Sequence, residues 1–281
     1  MDADEYRRRS LDQWDSAAAG WDRRERWLAE TSAPVSAWLI DALDLQPGHR
    51  VLELAAGTGD AGFLAAELIS PGGVLICSDQ SEAMLGAARA RAERLGLEHV
   101  EFKAIDAEWI DLPLASVDAV LCRWGYMLMA DPAAALRETR RVLRPGGRVA
   151  LAVWDAAEAN PWAEVPNAAL AAVGLRPPAD PAEPGPFALA DPGAVRALLE
   201  EAGFDDVEVD AVDLLRPDPD FEAWWDGQLA LSTAFRRAVA DADPETVAAL
   251  RADVERGLRP YTDPDGRLEI PARTLVAAAG A

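Results

Sequence analysis

Between residues 50 and 154, short unbroken apolar runs alternate with stretches in which apolar residues recur every three or four positions. The first pattern is that of strands buried on both faces and the second that of amphipathic helices, so the alternation predicts a parallel sheet covered on two sides. The expected strands are RVLEL (50–54), GVLICSD (73–79), VEFKAID (100–106), VDAVLCRW (117–124) and RVALAVW (148–154). Helices over GFLAAELI, SEAMLGAARARAERLG and PAAALRETRRVL lie between them. The punctuation agrees: Ser81 can cap the helix that follows it, Pro132 suits a first helical turn after Asp131, and Pro145-Gly146-Gly147 ends the last of these helices. Parallel strands joined in this way need right-handed crossovers.

Past Trp154 the texture changes to Ala, Pro and Trp, predicting a covering segment over 156–190 made of a helix and a Pro-rich loop around Pro177 to Pro186. PGAVRALLEEAGF then reads as a helix ended by Gly203, and DVEVDAVDLL as a strand. Residues 219–262 are expected to form a helical lid, a pair of helices inserted ahead of GRLEIPARTLVAAA, which closes the sheet as its final strand.

Composition narrows the class. A chain of 281 residues, half of them hydrophobic, can bury a large core. It holds no run approaching the roughly 18 apolar residues of a membrane span. The opening MDADEYRRRSLDQWD lacks the apolar core of a secretory signal, so a cytoplasmic location is expected. Cys77 and Cys122 both sit in apolar strand-like runs and are expected as buried free thiols, and with only two histidines no metal site is expected. The net charge of −22, with Lys103 the only lysine, argues against nucleic acid as a partner.

Chemistry concentrates at VLELAAGTGD (51–60), where a strand ends in an acid and turns through Gly57 and Gly59 toward a helix. Such a turn lets a ligand approach backbone at a helix N-terminus. Gly57, Gly59 and Gly62 spell GxGxxG and Asp79 follows about 20 residues on, which is also the dinucleotide fingerprint and keeps an NAD(P)-dependent oxidoreductase in view. The acids favour another ligand. Glu53 beside the turn would repel a pyrophosphate and suit an ammonium; Asp79 could accept from two ribose hydroxyls and Asp106 from an adenine amine. The three acids stand at successive strand ends, facing the crevice where open α/β sheets bind ligands.

In order along the chain, ELAAGTGD (53–60), SDQSEAML (78–85), IDAEWIDLP (105–113), VDAVLCRWGYM (117–127) and LRPGGRVAL (143–151) resemble the class I S-adenosylmethionine-dependent methyltransferases, and among them the ubiquinone/menaquinone-biosynthesis C-methyltransferase family. The resemblance covers roughly residues 45–155. It implies an α/β fold, a Rossmann-like, doubly wound, seven-stranded and mostly parallel sheet with a helical cap, in which 1–44 covers the site, 45–155 binds S-adenosylmethionine and 191–281 completes the core and carries the lid. By position it implies that Glu53, Ala55, Gly57 and Gly59 surround the methionine part of the cofactor and that Asp79 binds ribose. Gln80 and Met84 would flank the nucleoside, Asp106 and Ala107 would hold adenine, Arg123 would sit beside the cofactor, and Trp21 would cover it. In the quinone-ring enzymes an Arg-Asn pair follows the glycine after the fourth strand; Met127 and Leu128 stand there instead, which argues against quinone-ring chemistry.

A small-molecule methyltransferase acting by in-line displacement and releasing S-adenosylhomocysteine is the expected function, on O, N or C of an apolar or aromatic acceptor. A non-catalytic S-adenosylmethionine-binding protein is a further alternative, and a homodimer is entertained. Aligning methyl and acceptor in a dry site can supply much of the acceleration, so a base is optional. His49 and His99 precede strands, at the wrong sheet edge; Tyr126, by position, is the expected catalytic side chain, with Tyr261 of the lid behind it. Ten tryptophans, several near strand ends and in the flanking helices, favour an aromatic-walled pocket.

Overall fold

In a computed structural model, residues 2–176 and 183–281 are described; the expected loop at Pro177 to Pro186 lies partly outside them. Two helices lead, α1 (Ala3–Arg23) and α2 (Glu25–Ala42). The core follows as β1 (Arg50–Glu53), α3 (Asp60–Ile69), β2 (Val74–Asp79), α4 (Glu82–Leu95), β3 (Val100–Ala104), β4 (Val117–Arg123), α5 (Pro132–Val142) and β5 (Leu143–Trp154). Then come α6 (Pro161–Ala172), α7 (Pro192–Glu201), β6 (Asp205–Asp218), α8 (Phe221–Leu231), α9 (Thr233–Asp241), α10 (Pro244–Leu258) and β7 (Leu268–Gly280).

The strands form one seven-stranded sheet in the order β3-β2-β1-β4-β5-β7-β6. Five are parallel, and β7 runs antiparallel between β5 and β6. The order reverses at β1 and β4, which leaves a crevice beyond their C-terminal ends. Leu52, Leu75, Ile76, Val120 and Leu121 are fully buried, as strands covered on both faces require.

The expected caps form: Ser81 Oγ accepts from the Met84 amide and Asp131 Oδ1 from that of Ala134. Two expectations shift. Leu143 belongs to β5 rather than to the preceding helix, because it pairs with Val117 before the Pro-Gly-Gly turn restarts the ladder at Arg148. The stretch expected as a lid holds three helices, not two, because Ser232 and Asp243 each cap a new one and split the helical stretch. Its Trp224, Trp225, Phe235, Leu250 and Val254 make a separate core against Leu268 and Ile270 of β7. The lid also meets α1 backbone to backbone: a Cβ at Gly20 would lie 1.9 Å from the Ala230 carbonyl oxygen.

Candidate functional site

Three strand ends bring acids to the crevice. β1 ends in Glu53, β2 in Asp79, and Asp106 follows β3; with Ala55, Gln80, Ala107 and Arg123 they line one pocket roofed by Tyr6, Arg7, Ser10, Trp14 and Trp21 of α1.

Glu53 is only 2% exposed. Its Oε1 accepts from the Gly62 amide at 2.8 Å, while Oε2 is buried without a hydrogen-bond partner. Burial drives its carboxyl up to about 8; Arg123 and the Gly62 amide oppose that shift, and Asp60 and Asp79 add to it. A Cβ at Gly62 would come 2.1 Å from Oε2, so any larger residue there would have to displace the carboxyl group. Asp79 is likewise raised by burial, against the Ser81 and Gly57 amides that donate to its two oxygens, each at 2.9 Å. Asp106 is exposed on the rim and accepts from the Glu108 amide.

Gly57 and Gly59 both take positive φ, 55° and 80°, and shape the turn rather than line the pocket. Ala55 and Trp124, neither a glycine, also sit at positive φ, 50° and 60°, and both face the crevice. Strain of this kind is held only where packing enforces it; Gly125 lies so close that a Cβ there would be 2.7 Å from that of Ala55 and 2.6 Å from Cys122 Sγ.

Arg123 lines the pocket but is tied down from behind: Nη1 donates to Asp60 Oδ2 at 2.6 Å and to Ser36 Oγ at 2.6 Å. Burial would raise the Asp60 carboxyl, but Arg123 and Arg91 outweigh it and hold the group below its ordinary range. The pair locks α2 and α3 to β4. Asp60 ends the glycine motif, but its pairing with Arg123, like that of Ser36, gives no sequence signal, because only folding brings them together.

Three expected residues stand elsewhere. Met84 is 1% exposed and packs under Trp14 and Trp21 with Ala17 and Ala18, supporting the roof from behind. Tyr126 is fully buried, and its hydroxyl pairs with Thr139 at 2.7 Å in the core, which corrects its expected place in the acceptor pocket. Burial lifts its phenol well above the ordinary value, opposite to what a base needs. The reason is the turn itself: the chain bends at Gly125 into a 3-10 turn, Tyr126–Leu128, that points Tyr126 inward at α5. Tyr261 packs with the lid core. Cys77 and Cys122 are buried free thiols, as expected.

Trp21 lines the pocket from α1, its Nε1 donating to the Leu231 carbonyl of α8 and its ring meeting Trp14 edge to face at 5.5 Å. The other roof residues had no motif to announce them. Tyr6 donates to the Leu128 carbonyl at 2.7 Å, and Arg7 pairs with Glu108 at 2.5 Å. Glu108 in turn accepts from the Ala130 amide. With α1 latched, the crevice encloses about 110 Å3, against the roughly 300–1,000 Å3 of most small-molecule sites.

A second cavity of about 410 Å3 opens among Trp162, Leu170, Phe187, Gln228 and Phe235, between α6 and the lid. A ladder of rings leads toward it from the crevice: Trp124 stacks on Trp154 at 4.3 Å, and Trp154 tilts onto Trp162 at 4.8 Å. Among the described residues no group of histidines, cysteines and acids could hold a metal, and no helix is long and apolar enough to cross a membrane.

A family model described as a methyltransferase domain matches residues 45–176. Nocamycin O-methyltransferase of Saccharothrix syringae is 31% identical over 236 residues, 80% of this chain and 83% of that protein. The ubiquinone/menaquinone biosynthesis C-methyltransferase of Cellvibrio japonicus is 35% identical over 111 residues, 39% of this chain. That match spans 45% of the relative, so for it the likeness is confined to the core. The phosphoethanolamine N-methyltransferase 2 of Haemonchus contortus, solved with S-adenosylhomocysteine, shares the fold with a TM-score of 0.59 at 16% identity, over 95% of this chain and 57% of that one.

Proposed function

The chain belongs to the S-adenosylmethionine-dependent methyltransferases, and from that premise we propose that it methylates an oxygen, nitrogen or carbon of a small apolar or aromatic metabolite. The observation that carries the reading is the convergence of Glu53, Asp79 and Asp106 on a single crevice beyond β1, β2 and β3.

These residues fit the cofactor. The buried, unpartnered Oε2 of Glu53 suits the ammonium of an aminoacyl group, a partner that would also bring its carboxyl back down. Asp79, already oriented by the Gly57 and Ser81 amides, is assigned the ribose hydroxyls. Asp106, Ala107 and Gln80 are assigned the nucleoside, and Trp21 with Trp14 closes the roof. A dinucleotide fits poorly: the Gly57 and Gly62 amides that would meet a pyrophosphate already donate to carboxylates.

When bound, the cofactor supplies a methyl group on a sulfonium, open to in-line displacement. The chain's own part is to hold the acceptor in line and dry, since Tyr126 is sealed in the core and both histidines lie at the far edge of the sheet. The indole ladder from Trp124 to Trp162 and the cavity beside it would seat a flat acceptor.

Calorimetric titration with S-adenosylmethionine, S-adenosylhomocysteine and NADPH tests the cofactor, and a mass-read panel of acceptors tests the transfer. Saturable binding of the first two is expected. Binding of NADPH alone would sink the proposal.

A further inference from the structure

Past Trp225 the chain carries Gln228, Ser232 and Phe235, spaced by four and then three residues, and all three border the 410 Å3 cavity although the helix breaks at Ser232. From the other side α6 supplies Trp162, Asn167 and Leu170. The volume lies within the roughly 300–1,000 Å3 of small-molecule sites. Two hydrogen bonds set this cavity beside the crevice. Trp21 of the crevice donates to the Leu231 carbonyl, next to Ser232, and the Gly185 amide of the cavity wall donates to the carbonyl of Met127, next to Leu128.

The carboxamides of this region are of two kinds. Asn160 is fully buried and uses both ends: Nδ2 donates to the carbonyls of Asp155, Ala156 and Arg273, while Oδ1 accepts from Trp162 Nε1 and the Arg273 amide. It serves the fold, and it fixes the Trp162 indole as a wall. Gln228 is half-buried against the cavity, and among the described residues its side chain makes no hydrogen bond. A carboxamide offers two donors and an acceptor with two lone pairs. Beside it, Ser232 Oγ accepts from the Phe235 amide at 3.2 Å as the cap of α9, which leaves its O–H to donate. Arg176 and Glu183, the charged residues among the described lining, are opposite in sign. The wall therefore offers hydrogen bonds without net charge.

We propose that Gln228 is a specificity-determining residue of the acceptor site, and that the metabolite is an uncharged flat ring bearing a hydroxyl or carbonyl oxygen. The Gln228 carboxamide reads that oxygen, while Trp162, Leu170, Phe187 and Phe235 enclose the ring. A hydrocarbon of the same shape would strip water from the carboxamide and return no bond, and an ion would lose its own hydration without meeting a matching charge. This inference rests on the acceptor site proposed above but not on methyl transfer itself.

The test is equilibrium dialysis of the full chain, in excess S-adenosylhomocysteine, against 2-naphthol and 2-methylnaphthalene, which match in shape and differ in one polar group. Transfer out of water by itself favours the methyl compound, so a cavity that ignores the oxygen binds that probe several-fold tighter. Wild type should bind 2-naphthol at least as tightly as 2-methylnaphthalene. Gln228→Leu should shift the ratio about tenfold toward the methyl compound, chiefly by weakening 2-naphthol. Wild type that favours 2-methylnaphthalene several-fold, or binds neither probe, would overturn the proposal even if Gln228→Leu failed to fold. An unchanged ratio in folded Gln228→Leu would overturn it as well. S-adenosylhomocysteine affinity, measured by calorimetry on the same samples, should stay within about twofold in Gln228→Leu. Wild type that shows the expected probe ratio but no S-adenosylhomocysteine binding would defeat the methyltransferase reading and leave the role of Gln228 standing.

Discussion

Over the parallel half of the sheet, carboxylates are buried against backbone amides; over the antiparallel half, guanidiniums are buried against indole faces. Glu53 accepts from the Gly62 amide in the first turn of α3, and Asp79 from the Ser81 amide just past its own strand and the Gly57 amide in the turn after β1. Arg216 and Arg24 are held by Trp27, Trp154, Trp162 and Asp218, drawn from α2, β5, α6 and β6. The first half is local and reads as a motif. The second is assembled from distant parts of the chain. In the first half the buried Oε2 of Glu53 is left unpaired, the situation in which binding a complementary ligand gains most.

The largest expected effect belongs to the local half. Asp79→Ala should weaken S-adenosylhomocysteine about 100-fold, since two hydrogen bonds to a charged acceptor contribute about 1.5 kcal/mol each. Calorimetry reads this, with thermal melts to show that the fold survives.

Glu53→Gln sharpens the contrast through pH. The folded-state carboxyl, raised to about 8, is protonated where the unfolded one is ionised. This contribution to stability is therefore fully present below the unfolded value and is lost as pH rises through about 8, amounting to a few kcal/mol. Wild type without ligand should lose melting temperature from about pH 5 to pH 8, and Glu53→Gln should flatten that slope. Cofactor affinity should run the other way in wild type, climbing toward pH 8 as the carboxylate forms. A flat affinity profile would show that Glu53 does not meet the ammonium.

A smaller effect is expected at the latch. Arg7→Ala removes a half-exposed ion pair worth at most about 1 kcal/mol, so stopped-flow binding of S-adenosylhomocysteine should show both association and dissociation accelerated several-fold, with the dissociation constant little changed. Unchanged rates would mean that α1 does not control admission to the 110 Å3 crevice. Smallest of all is Tyr126→Phe, which should leave turnover intact and cost about 1 kcal/mol, since Thr139 keeps its bond to the Ala135 carbonyl. A large loss of turnover with the fold preserved would return Tyr126 to the chemistry.

Wherever the information is local, the chain states its structure openly. The apolar runs at 50–54, 73–79 and 117–124, the cap at Ser81 and the glycine turn at 57–59 determine the parallel half of the sheet and put Glu53, Asp79 and Asp106 at one rim. Burial on both strand faces and the period of a helix are properties of consecutive residues, so they can be read without the fold. Tertiary structure alone decided which way a side chain points after a turn and which distant residues meet. It turned Tyr126 into the core, moved Met84 behind the roof and tied Arg123 to Asp60. It also gathered Trp27, Trp154, Trp162 and Arg216 into one box. Packing between elements depends on the whole sheet order and on the angle at which each helix crosses it, and no short window of sequence contains either.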